Sequence, residues 1–260
     1  MRTVVRKRRR GGFLPYDPRD LPRLRGTLPS FSRPIGLDVI ITSEGRALLV
    51  EAQCGFGRRG LLNLFPAANR AYRKTYWALR RELGKSPWVS EELRELCNDK
   101  LATYRVVGHH QPPSLPYRRY GAEVRRWLEA QDCERVLLKP ARGCCGNGIE
   151  VLDRQQILRD DQLPPAAMGD MLLQAFVGSR PLAVDGRPHL GCIRHIVILS
   201  SDGRGLDVVH LPSYWRVAPR PLTPAPEREA LTANISRGAT PLAVAPADRQ
   251  RVHRLAEQVC

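Results

Sequence analysis

The stretch Val136 to Leu152, V-L-L-K-P-A-R-G-C-C-G-N-G-I-E-V-L, constrains the fold more than any other. An apolar run (Val136, Leu137, Leu138) delivers Lys139, a loop with Gly143, Gly146 and Gly148 follows, and a second apolar run (Ile149, Val151, Leu152) leaves it. Two strand-prone runs around a glycine-rich turn predict a β-hairpin. Glycines let a backbone bend at positive φ and bring its N–H groups close to an anion, and a lysine on the entering strand adds a point charge. The residues fit a phosphate cover and an ordinary glycine hairpin alike. They do not fit a Walker loop, because no Gly-Lys-Ser/Thr opens a helix, nor a dinucleotide-binding turn.

A chain of 260 residues with 42% apolar content can build one large domain or two small ones. No run approaches the ~18–20 apolar residues of a membrane span. The basic start lacks the apolar stretch of a secretory signal, so a cytoplasmic location is expected. The net charge of +16 suits an anionic partner, whether nucleotide, nucleic acid or acidic substrate, and selects none of them. Cys54, Cys97, Cys133, Cys144, Cys145, Cys192 and Cys260 form no C-x-x-C and no zinc-finger pairing with histidine. They read as reduced thiols, mostly small buried apolar residues.

Residues 1–35 read as a basic, disordered arm, with the run Arg6–Arg10 and frequent prolines. Leu37 to Ile41 and Ala47 to Val50 predict two strands about a turn at Ser43-Glu44-Gly45, the second ending at Glu51. A carboxylate at a strand end can present to a metal or simply to solvent. Ala67 to Leu83 carries a helical stripe, and a second helix is expected from about Ser90 to Tyr104. His109-His110 reads as an exposed turn rather than a metal site, because no partner ligand stands at useful spacing. Gly121–Ala130 predicts a helix, Gln155–Leu158 a short one and Ala247–Val259 an amphipathic one. Met171–Val177, Gly191–Leu199, Leu206–Leu211 and Tyr214–Val217 predict strands.

The order of these pieces is informative: Asp99-Lys100 on a helix, Lys139-Pro140 ending a strand, the glycine loop, Leu172-Leu173-Gln174-Ala175-Phe176-Val177-Gly178, a strand with Arg194, and Asn234-x-x-x-Gly238. The set resembles the ATP-grasp superfamily, especially ribosomal protein glutamate ligases and bacterial glutathione synthetases, from about Asn98 to Cys260. The resemblance implies an α+β fold in which two α+β subdomains clasp ATP. It implies Lys100 and Lys139 on the nucleotide, Gly143, Gly146 and Gly148 over the phosphates, and Gln174, Ala175, Phe176 and Val177 as an adenine-reading hinge. Arg194 and Arg216 become catalytic arginines at the transferred phosphoryl group. Asn234, with Arg237 and Gly238, stands beside Mg2+ and substrate.

The family closes on a strand pair of the form Gly-x-Asp … Glu-x-Asn, which does not follow Cys260. Its likeness stands at the front instead, in Gly36-Leu37-Asp38 and Glu51-Ala52-Gln53. Glu51 would then ligate Mg2+, with Gln53 in place of asparagine. Either a circular permutation or a fragment of a longer, tandem or misassembled gene accounts for this order. The implied organisation is a 1–35 arm, 36–97 strand pair and helices completing the central subdomain, 98–177 lid subdomain and 178–260 central subdomain. The implied activity is ATP-dependent joining of a carboxylate, small-molecule or peptide, to an amine through an acyl phosphate. The alternative is a catalytically decayed module that binds nucleic acid or an acidic partner through its basic surface. No membrane partner is expected, and nothing in the sequence fixes an oligomeric state.

Overall fold

The computed structural model describes residues 32–54, 91–143, 147–163, 169–201, 206–211, 213–222 and 238–260. The Arg6–Arg10 run, the helix expected over Ala67–Leu83, and Cys144, Cys145, Gly146, Asn234 and Arg237 lie outside the described residues.

The chain is a mixed α+β protein built on antiparallel sheets. In order, the elements are β1 (Ser32–Ile41), β2 (Ala47–Cys54), α1 (Glu91–Asn98), α2 (Lys100–Val107), β3 (Ser114–Tyr117), α3 (Ala122–Glu129), β4 (Arg135–Pro140), β5 (Glu150–Asp153), α4 (Arg154–Asp160), β6 (Met171–Ala175), β7 (Leu182–Val184), β8 (Arg187–His189), β9 (Gly191–Ser201), β10 (Leu206–His210), β11 (Tyr214–Val217), β12 (Thr240–Ala243) and α5 (Pro246–Val259). A six-stranded sheet runs β12-β11-β9-β1-β2, with β10 also paired to β9; a four-stranded sheet runs β3-β6-β4-β5; β7 and β8 form a separate hairpin.

The long strand β9 organises the larger sheet. Its Gly191–Arg194 half pairs with β11, its Val197–Ser201 half with β10, and its other edge with β1. Alternation then divides the residues. Leu37, Ile193, Val197, Trp215 and Val217 face a core shared with Val252, Leu255 and Ala256 of α5 and Cys97 of α1. In the smaller sheet, Val136 and Leu138 of β4 and Met171 and Leu173 of β6 pack on Val124 and Leu128 of α3 and Ile157 of α4.

The predicted hairpin is present, with Leu138 opposite Glu150 and Arg135 opposite Asp153. Several expectations need correction. The 1–35 arm gives way to strand at Ser32: Pro34 is accommodated opposite Ile198, beyond the last β2 pairing of Ile35 with Cys54, where one edge of β1 lacks a described neighbour. Glu51 is not a strand end, because β2 continues to Cys54. The single helix expected over Ser90–Tyr104 is two helices. Asp99 between them is extended (φ −107°, ψ 107°) and its carboxylate accepts hydrogen bonds from the N–H groups of Leu101 and Ala102, a side-chain cap that competes with a continuous helix. The strand expected to reach Val177 stops at Ala175. Strands β3, β7, β8 and β12 were not anticipated. For β7 and β8 the signal was Asp185-Gly186, both at positive φ (49° and 77°), the pattern of a two-residue hairpin turn.

Candidate functional site

The face of each sheet that does not look into its apolar core carries the charged residues. On β4, alternation that buries Leu138 under α3 turns Lys139 the other way, level with Leu172 on β6. Gln174, two residues on, shares that face, and so does Ser114 opposite it on β3. On the larger sheet Asp38 is paired directly with Glu51 on β2 and with Arg194 on β9, so all three share one face.

Lys139 is 5% exposed, and its ammonium donates to Gln174 Oε1 at 2.5 Å. The Gln174 amide in turn donates to Ser114 Oγ at 2.9 Å, which fixes the direction of the carboxamide. Burial pushes Lys139 down to about 8; the Glu51 charge opposes this and the Lys100 charge adds to it. Lys100, the first residue of α2, is held at the helix start by the Asp99 cap. Its ammonium lies 3.7 Å from Glu51 Oε1 and donates to the Gly143 carbonyl at 2.9 Å. Gly143 sits at φ +136°, a conformation open to glycine and strained for other residues, and this aims its carbonyl at Lys100. One acidic strand, one helix start and one glycine loop therefore meet. Between them, Glu51, Lys100, Thr103, Gln111, Lys139 and Gln174 line a cavity of about 10 Å³, the size of a single water.

Beside this cluster lies a buried ion triad. Both Asp38 oxygens are engaged: Arg194 Nε donates to Oδ1 at 2.5 Å and Nη2 to Oδ2 at 3.1 Å, while Arg216 Nη2 approaches Oδ2 at 2.5 Å. Burial would raise the Asp38 carboxyl, but the Arg194 and Arg216 charges hold it below the ordinary carboxylate value. Arg216 Nη2 also donates to Cys192 Sγ at 2.8 Å, whereas its buried Nε has no acceptor among the described residues. Burial pushes Tyr214, across from Arg194, up to about 12.

The structure brings Glu51, Lys100, Lys139, Gly143 and Gln174 to one place, with Arg194 and Arg216 alongside through Asp38. Gln53 is half-buried two residues from Glu51, on the same strand face. Gly148 takes φ +69° at the far end of the loop. In the segment expected to read adenine, the Ala175 N–H donates to Pro113 O and the Phe176 N–H to Arg135 O. Gln174 contributes a buried side chain, while Val177 follows the strand and is half-buried. Asp38 is the site residue that sequence reasoning missed; its signal was Gly36-Leu37-Asp38. Cys97, Cys133, Cys192 and Cys260 form no disulfide, and burial pushes Cys192 up and Cys260 up to about 12, which keeps both protonated.

Chemically, two ammoniums and an unspent guanidinium N–H suit an anionic oxygen, and an exposed edge of Glu51 suits a hard cation. No protein-family model and no curated protein matches the chain. Among solved structures it is similar to the D-alanyl-alanine synthetase A of Vibrio cholerae O1 biovar eltor, at 13% identity and a TM-score of 0.43, over 86% of this chain and 69% of that one. At that identity and score the likeness decides neither fold family nor function.

Proposed function

We propose that the protein is an ATP-dependent carboxylate–amine ligase of the ATP-grasp kind, working through an acyl phosphate. The supporting observation is that Glu51, from the front of the chain, lies 3.7 Å from Lys100, which holds the glycine loop next to Lys139. The family resemblance requires this meeting of the acidic strand with the lysine hairpin, and composition does not. In this reading β1 and β2 take the part of the family's closing strand pair, the four-stranded sheet is the lid, and the chain is permuted.

The donor set fits nucleotide phosphates. Lys139 is a buried cation whose direct partner is a neutral amide, and Arg216 Nε is a buried donor without an acceptor among the described residues. Phosphate oxygens satisfy both. Lys100 and Lys139 would hold the nucleotide phosphates, and Glu51 with Gln53 would hold Mg2+, which would supply charge neutralisation for phosphoryl transfer. Asp38 has no free oxygen while both arginines hold it. A cavity of about 10 Å³ admits no nucleotide. ATP would have to widen this cavity to reach Lys139 and Glu51 together. The residues act by charge and alignment, with no covalent nucleophile.

The test is ADP release on presenting Mg-ATP with panels of carboxylic acids and amines. Lys139→Met and Glu51→Gln are expected to abolish it; undiminished turnover in either removes that residue from the mechanism. The engagement of both Asp38 oxygens favours one second reading, a decayed module that binds nucleic acid through its basic surface. Salt-sensitive retention of labelled RNA or DNA, with no effect of Mg-ATP on melting, would select it.

A further inference from the structure

On the opposite face of the larger sheet, away from Lys139, three imidazoles converge from three elements. His195 comes from β9, His210 from β10 and His253 from α5, and one ring nitrogen of each lies within 4.8 Å of the others. His195 Nε2 and His210 Nδ1 are 3.0 Å apart, and the His210 and His253 rings stack with centroids at 4.1 Å. We propose that these histidines form a binding site for a first-row divalent transition metal of the zinc class, clamping α5 onto β9 and β10.

The outer partners carry the argument. His210 Nε2 faces Glu257 Oε1 at 3.3 Å. An ionised carboxylate only accepts, so that nitrogen bears the hydrogen and Nδ1 turns a lone pair toward His195. His195 Nδ1 meets Ser213 Oγ at 2.7 Å. A hydroxyl donates or accepts equally well, so turning the Ser213 hydrogen leaves His195 Nε2 as an N–H toward His210 or as a second lone pair beside it. The second state aims two imidazole lone pairs at one point, with the outer nitrogens held by a carboxylate and a hydroxyl, as metal-binding histidines require. His253, stacked on His210 with the ring planes only 7° apart, turns out of that stack to supply the third nitrogen, and solvent takes the fourth position. Three imidazoles select zinc and its neighbours over magnesium or calcium, which prefer oxygen. Arg249, one turn before His253, opposes a cation there, while Glu257, one turn after, favours it.

The full chain, stripped with chelator, is titrated with Zn2+ and with Co2+. We expect one equivalent of each, visible Co2+ bands of a four-coordinate ion without thiolate charge transfer, and a higher melting temperature with Zn2+. X-ray absorption on the zinc-loaded wild type should show imidazole nitrogens at about 2.0–2.1 Å. His253→Ala, at a half-buried helix position, should lose the equivalent, and Glu257→Gln should weaken it by about tenfold or more. No uptake by the wild type, thiolate ligation, or unchanged uptake in His253→Ala overturns the proposal. The absorption measurement needs no variant, so it decides even where a substitution unfolds the chain.

Discussion

Asp38 and Lys139 are the two residues at which the charge balance is most demanding. A carboxylate buried opposite Glu51 would repel it, and the two arginines make the pairing tolerable. Removing Asp38 leaves Arg194 and Arg216 buried side by side without a counter-charge. Asp38→Ala should therefore cost about 3–5 kcal/mol in chemical denaturation; a loss below about 1 kcal/mol would mean that water reaches the guanidiniums. Lys139 poses the reverse problem. Its proton affinity falls from 10.5 unfolded to about 8 in the fold. Between those pH values the unfolded chain binds a proton that the folded chain does not, so stability rises with pH across this window. Relative to Lys139→Met, which lacks the group, the wild type should gain about 3 kcal/mol from pH 8 to 10.5. A flat difference would show that Lys139 keeps its ordinary proton affinity. Asp38 was readable only as a motif letter, because whether a strand carboxylate meets arginines or water depends on pairing across β1 and β9, more than a hundred positions apart (Asp38 with Arg194).

Among elements, the break at Asp99 and the loop at Gly143 act together, since the first aims Lys100 and the second aims the carbonyl it holds. Asp99→Ala removes the cap from α2 and should cost about 1 kcal/mol; full stability in that variant would assign the helix break to another cause. Gly143→Ala meets no atom of the described residues within 4 Å, so the loss expected is that of the backbone at φ +136°. It should cost about 1–3 kcal/mol, read by thermal melting, and should weaken nucleotide binding in proportion; an unaltered variant would mean the loop is free to relax. The β4–β5 hairpin was legible because strand-prone runs flank its glycines. The break in Ser90–Tyr104 was legible in principle, since aspartate is a strong cap, but helical periodicity ran through it. Strand β3 was hidden by Pro116 within its four residues and Pro113 just before them, and β12 by its shortness and Pro241.

At the scale of the molecule, two antiparallel sheets turn charged faces toward one another and apolar faces toward their own helices. That β1 and β2 are strands was legible from their apolar runs about the turn at Ser43-Glu44-Gly45, whereas the pairing of β1 with β9 joins residues far apart in sequence and left no local signal. In the segment expected to read adenine, the N–H groups of Ala175 and Phe176 are bonded to Pro113 and Arg135, a pairing set by how β3 and β4 flank β6 and not visible in sequence order. The histidine cluster left no spacing signature at all, since His195, His210 and His253 meet only after β9, β10 and α5 have packed. The claim on which the functional account depends is that nucleotide phosphates are held between the sheets by Lys100 and Lys139. Melting the full chain with Mg-ATP at a hundredfold excess over its dissociation constant should raise the transition by about 5–10 °C, and Lys139→Met should lose most of that rise. An unmoved wild-type transition at saturating Mg-ATP, or an equal rise in the variant, would contradict it.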